Sequence, residues 1–216
     1  MARPDARAVA LVACIATGGF VGLAVHAVRA KPVGAPPAPS VRSGPTADAT
    51  WRAGQRRAPA FSLRDQSGRV VSMGGGARRA PVLLAFLDSH CRLICTFEGP
   101  TIADVIHRAR GIPMQLLVVS VNPWEDTAAS ARAAARRWGF AGEWHWLRAP
   151  AARLRPVWRD YGIEVLPQDG DISHSSAIYL IDARGYERAG FDYPFTARQV
   201  VRELRRIARS SSSSEA

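Results

Sequence analysis

Phe86-Leu87-Asp88-Ser89-His90-Cys91-Arg92-Leu93-Ile94-Cys95-Thr96 sets the frame for the rest of the chain. Feeding into it, Pro81–Leu87 is a short, continuous apolar run between turn-like residues, which predicts a buried strand. Past Cys95, Gly99-Pro100 lead into Ile102, Val105 and Ile106, whose spacing is that of one helix face. A helix starting near Cys91 would stack residues four apart and aim both sulfurs the same way. A thiolate at such a helix N-terminus is favoured by unpaired N–H groups and the positive end of the dipole, so its pKa falls. Two thiols of this kind at a strand end suit disulfide exchange or a soft metal such as Cu(I). Two buried structural cysteines are the plainer alternative, since a free cysteine packs as a small hydrophobe.

The 216 residues provide for one domain of ordinary size plus extra segments. The formal net charge is +11, and its basic residues are arginines apart from Lys31. No zinc-finger spacing, RNA-binding aromatic signature or compact basic run accompanies that charge, so no nucleic-acid partner is expected. A basic surface fits anionic lipid headgroups or an acidic protein partner instead. Trp138, Trp144, Trp146 and Trp158 read as packing residues. Gly74-Gly75-Gly76 lacks the strand–glycine–helix context of a phosphate loop and reads as a turn.

Residues 8–28 carry no formal charge, only His26, and are long enough to span a bilayer as a helix. Residues 1–30 are therefore expected to be a single-pass membrane anchor, with a secretory signal cleaved after Ala27 or Ala30 as the alternative. Leu11-Val12-Ala13-Cys14 resembles a lipoprotein processing box, but too little apolar sequence precedes it; Cys14 reads as a membrane-embedded residue. Either way the bulk of the chain is exported, on the outer or periplasmic face. Residues 31–50, rich in Pro and Ala, read as a linker, and 210–216 as a polar tail with nothing to pack.

Residues 51–209 read as one folded head of alternating strands and helices. Two strand-like pieces flank a Gly turn within Phe61–Val71; Val82–Leu87, Met114–Val121 and Trp144–Leu147 follow as strands. Helical spacing covers Asp126–Trp138, with Asp126 or Thr127 to cap it and Gly139 to end it, and Ala151–Tyr161, stopped by Gly162. Ser176–Ile181 and Tyr186–Phe191 form a terminal hairpin before an amphipathic helix over Thr196–Ile207. Strands alternating with helices imply an α/β architecture with parallel pairs.

Several blocks occur in a fixed order: Pro59–Gly68, the strand leading into Cys91-x-x-x-Cys95, Val121–Thr127, Trp158–Gly162 and His174–Gly185. Together, over about residues 51 to 207, they resemble the SCO/SenC family. The resemblance implies a thioredoxin-like fold, a central mixed sheet flanked by helices, behind an N-terminal membrane anchor or signal segment. It implies a role in assembling the binuclear copper centre of cytochrome c oxidase. The copper ligands carried over are Cys91, Cys95 and His174, with Cys91 and Cys95 also a possible redox pair. The implied partners are the oxidase subunit bearing that centre, a copper donor protein and a thiol reductant. Two positions depart from the family pattern: Thr96 stands where Pro is usual, and Asn122 where Asp is usual.

Two thiolates and one imidazole suit Cu(I), and the imidazole extends the set to Cu(II); zinc would want a fourth ligand, for which His90 is the candidate. His90 otherwise reads as a loop side chain, His107 as a surface residue and His145, alternating with Trp144 and Trp146, as facing outward. Asp88 either assists proton transfer from a thiol or caps a turn. Asp169-Gly170-Asp171 reads as a solvated turn or an acidic docking loop beside His174, and Glu125-Asp126 as a helix start. Three function classes follow: a copper-binding assembly factor rather than an enzyme; a thiol–disulfide oxidoreductase or peroxide-reducing protein acting through Cys91 and Cys95; and an exported scaffold with a stable disulfide.

Overall fold

The computed structural model describes residues 47–74, 80–168 and 171–212. The expected anchor or signal, most of the linker, Gly75-Gly76 and Asp169-Gly170 lie outside the described residues. Among the described residues, no helix is long and apolar enough to cross a membrane.

The first half of the chain holds β1 (Ala49–Thr50), β2 (Phe61–Arg64), β3 (Val70–Met73), β4 (Val82–Leu87), α1 (Cys95–Arg108) and β5 (Gln115–Ser120). It continues with α2 (Ala128–Trp138), β6 (Trp144–Leu147), α3 (Ala151–Asp160), β7 (Val165–Gln168) and β8 (Asp171–His174). The last elements are β9 (Ala177–Ile181), β10 (Glu187–Asp192) and α4 (Ala197–Ser212).

Continuous apolar runs make the central strands because both sheet faces are covered. The sheet has the order β1-β10-β9-β4-β5-β6, with β4, β5 and β6 parallel and β9 antiparallel to β4. Every residue of β4 is buried. Leu83, Ala85 and Leu87 face a core shared with α1, α2 and α4; Val82, Leu84 and Phe86 face one shared with α3 and the β2–β3 hairpin. Parallel pairing puts the C-terminal ends of β4, β5 and β6 along one edge of the sheet, where Asp88, Asn122 and Arg148 emerge.

The caps of α2 are as read. Thr127 Oγ1 accepts from the Ser130 amide at 3.0 Å, Ser130 Oγ from the Thr127 amide at 2.9 Å, and Gly139 ends the helix at φ 83°. Gly99 is required for another reason: a Cβ there would come within 2.3 Å of the Trp138 ring, where α1 packs on α2.

Four expectations are corrected. α1 begins at Cys95 and not near Cys91, because the Cys95 amide, which a longer helix would give to the Cys91 carbonyl, goes to the Cys91 sulfur at 3.3 Å. Ala49-Thr50, placed in the linker by composition, pair with β10 and close that edge. Ser210–Ser212, placed in the tail, extend α4. His145 is buried rather than outward-facing, because the loop after β2 covers β6 on that side. Its Nδ1 lies 2.9 Å from Asp65 Oδ2, and its Nε2 3.3 Å from Glu143 Oε1. Burial would raise Asp65, but His145 and the Ser67 and Arg69 amides hold its carboxyl below the ordinary value. The four tryptophans pack as read; Trp146 stacks on Trp138 with centroids 5.9 Å apart.

Candidate metal centre

Asp88, the first residue past β4, organises the loop that carries the cysteines. Its Oδ1 accepts from the His90 amide at 2.8 Å and Asn122 Nδ2 at 3.2 Å, and its carbonyl from the Cys91 amide at 3.4 Å. Burial pushes its carboxyl above the ordinary value, with Asp126 adding to the effect. Asp88 thus caps a turn, the second of its two expected roles.

Cys91 is half-buried and Cys95 fully buried, both as free thiols. The Cys95 thiol hydrogen-bonds to the Cys91 sulfur and lowers Cys91 to about 6 against the opposing effect of burial; the Cys95 and Leu93 amides help. The same bond, with burial and the charge on Cys91, pushes the Cys95 thiol far up. At neutral pH Cys91 is therefore the thiolate and Cys95 holds the proton.

His174 arrives from the far end of the domain on β8, paired with Val165 of β7. That hairpin went unread in the sequence, although Asp169-Gly170 between two strand-like runs is a two-residue turn signal. His174 Nδ1 lies 2.8 Å from the Ser175 carbonyl, which can only accept, so the ring hydrogen sits on Nδ1 and Nε2 offers its lone pair. That Nε2 is 3.6 Å from Cys95 Sγ. Cys91, His174, Leu93, Ile94, Ile172 and Ser176 line a cavity of about 190 Å³ at this point. Leu93, which lines the cavity, and Phe97, four residues further on in α1, are apolar and 67% and 66% exposed.

One residue at the site was missed from sequence. Glu98 follows Cys95 by three positions on the buried face of α1 and has no exposure. Ser176 Oγ donates to its Oε2, while Oε1 is buried without a hydrogen-bond partner among the described residues. Burial pushes Glu98 up to about 8, and the Cys91 charge contributes, so it is largely protonated at neutral pH. Its position on the face shared with Cys95 and Ile102 was the available signal.

His90 turns from the thiols toward two carboxylates, its Nδ1 3.7 Å from Asp126 Oδ1 and 3.9 Å from Asp88 Oδ1. Asp88, His90 and Asp126 have donor atoms within 4.8 Å of one another. Asp126 is already saturated, accepting from the Ser89 amide at 3.0 Å, Ser89 Oγ, Ser120 Oγ at 2.5 Å and Trp146 Nε1 at 3.2 Å. It holds the loops together and is not the cap of α2. His107 is exposed on α1, as expected.

Both departures from the family pattern have local partners. The Thr96 amide and Oγ1 both donate to the Leu93 carbonyl, at 3.2 and 2.5 Å, bonds a proline could not make. Asn122 bridges two acids, its Nδ2 3.2 Å from both Asp88 Oδ1 and Glu125 Oε2. A carboxylate there would oppose both.

The sequence pattern of the SCO1/SenC family matches residues 50–209, and the chain belongs to that family. It is 32% identical over 161 residues to the mitochondrial SCO2 homolog of Bos taurus, a match covering 68% of this chain and 58% of the cattle protein. The Bradyrhizobium japonicum ScoI structure with copper bound is 26% identical, with a TM-score of 0.57 over 70% of this chain and 99% of that one. Copper-bound yeast Sco1, 19% identical, shares the fold with a TM-score of 0.62 over 72% of this chain and 90% of its own. The expected thioredoxin-like architecture is the one observed.

Proposed function

We propose that this protein is an exported copper-binding factor that serves assembly of the binuclear copper centre of cytochrome c oxidase. Cys91, Cys95 and His174 would hold the copper it carries. The observation that supports this reading most directly is the 3.6 Å approach of His174 Nε2 to Cys95 Sγ, with the imidazole hydrogen kept on the far nitrogen. A cysteine pair and one imidazole form a three-donor set of soft and borderline ligands suited to Cu(I), the imidazole being the donor that admits Cu(II). Loading the site requires Cys95 to lose its proton, so uptake releases protons and weakens in acid. Related Sco proteins have been solved with copper bound, which supports the same cargo here.

The exposed apolar side chains of Leu93 and Phe97 would meet the oxidase subunit or the copper donor. Residues 1–30 would anchor the chain and 31–50 would tether the head on the outer face; fractionation of the full-length protein checks this, and a mature chain free of membrane would defeat the anchor. Anaerobic Cu(I) titration of the reduced full-length protein in detergent tests the copper reading. One copper per chain is expected, lost in Cys91→Ser and in Cys95→Ser. Unchanged binding in both serine variants would end it.

The unequal thiols favour one second reading, thiol–disulfide exchange. The Cys91 thiolate attacks a partner disulfide, forming a mixed disulfide and releasing one partner thiolate. Cys95, once deprotonated, attacks the Cys91 sulfur, releases the second thiolate and leaves a Cys91–Cys95 disulfide for a thiol reductant to restore.

A further inference from the structure

We propose that the cavity between the β2–β3 hairpin and the start of α3 binds a phosphate group, held by Arg64, Arg148 and Arg153. The cavity measures about 280 Å³ and is lined by these three arginines with Ser62, Val70 and Pro150 among others. The fold brings them together: the Arg148 amide donates to the Arg64 carbonyl at 2.8 Å, joining the end of β2 to the end of β6. Arg153 reaches back from the first turn of α3 to the Ser62 carbonyl at 3.2 Å.

Each guanidinium is positioned by a backbone carbonyl and neutralised by none. Arg64 Nη1 donates to Gly68 at 2.8 Å and Arg148 Nη1 to Asp126 at 3.3 Å. Among the described residues no carboxylate pairs with any of the three, and Arg148 Nε is buried without a hydrogen-bond partner. Three like charges around one small cavity repel, and a dianion with several acceptor oxygens relieves that repulsion while occupying the spare donors. No side chain caps α3, so its positive end adds to the same field. The cavity lies at the C-terminal end of β6, on the sheet edge where Cys91 follows β4, the usual place for anions in such sheets. Among the described residues the lining has no aromatic ring to stack a base, which favours a bare phosphate or phosphomonoester over a nucleotide.

The test titrates full-length protein, in uncharged detergent and phosphate-free buffer, with inorganic phosphate, following ³¹P line broadening. Saturable binding at one phosphate per chain is expected. Arg64→Gln with Arg153→Gln, both exposed positions, should weaken it about 10- to 100-fold. Arg198→Gln with Arg202→Gln, equally basic and exposed on α4, should leave it unchanged. Wild-type circular dichroism and denaturant midpoints in the variants show that they are folded. Phosphatidic acid added to the same detergent as mixed micelles displaces the phosphate if the pocket takes lipid headgroups, and fails to if its ligand is soluble. The proposal is overturned by non-saturable binding, by equal losses in the two arginine pairs, or by wild-type affinity in the folded Arg64/Arg153 variant.

Discussion

Cys95 Sγ lies 3.6 Å from His174 Nε2, and Ser175 keeps the ring hydrogen on the opposite nitrogen. An acceptor nitrogen thus faces a buried, protonated thiol whose partner Cys91 is already charged. On the proposed reading the two cysteines would exchange one proton for one metal ion, and they could run thiol chemistry without the histidine.

His174→Ala separates those two uses. Cu(I) affinity should fall by more than the about 10- to 100-fold that loss of an outer-shell partner costs, and Cu(II) affinity further, because imidazole is the harder donor. Disulfide exchange should persist, since it needs only the Cys91 thiolate. Unchanged copper affinity and stoichiometry would remove His174 from the ligand set.

In the reduced, metal-free protein, alkylation resolved by peptide should label Cys91 well before Cys95. The rate should climb through about pH 6 and level off above it, the depressed value set by the Cys95 thiol and nearby amides. Cys91→Ser should leave Cys14 and Cys95, and label mapped to Cys95 by peptide should accumulate slowly at neutral pH. A midpoint near the ordinary 9.0 would show that the hydrogen bond from Cys95 is not formed in solution.

Glu98→Gln should change the pH dependence of stability in the metal-free protein. The Glu98 carboxyl is raised from 4.5 to about 8, so the folded state holds a proton that the unfolded chain releases. Its contribution is fully present below about 4.5 and lost as pH rises through about 8, at up to about 1.4 kcal/mol per pH unit. Glutamine keeps the Ser176 bond and removes the charge, so denaturant midpoints should flatten across that window. Parallel wild-type and variant curves would show that Glu98 does not titrate there.

Asn122→Asp restores the residue usual in the family at the cost of two close carboxylates, Asp88 and Glu125. Stability should fall by about 1–3 kcal/mol at pH 7. The loss should shrink toward pH 4, because burial holds Asp88 above its ordinary value and it takes up a proton sooner. Equal losses at both pH values would mean that repulsion is not the cause.

Much of this was legible locally. β4 is apolar throughout and β5 over Leu116–Val119 because both faces are covered, and Thr127 and Gly139 mark the ends of α2 by backbone chemistry that needs no distant partner. His145 misled because alternation predicts which side of a strand a residue takes, and not whether a loop 80 residues away covers that side. The start of α1 misled because a cysteine sulfur competed for an amide.

The sequence by itself determined the order of the central strands and the helices, though not β1 or the β7–β8 hairpin, the placing of two cysteines at the end of a central strand and the family to which the chain belongs. These depend on side-chain periodicity and backbone preference over a few residues. Only the tertiary structure decided that His174 meets Cys95 across 79 residues, that Glu98 holds a proton and that Cys91 and not Cys95 is the thiolate. Each of those depends on burial and on charges brought from elsewhere in the chain, and the free energy of a charge is set by what surrounds it in space.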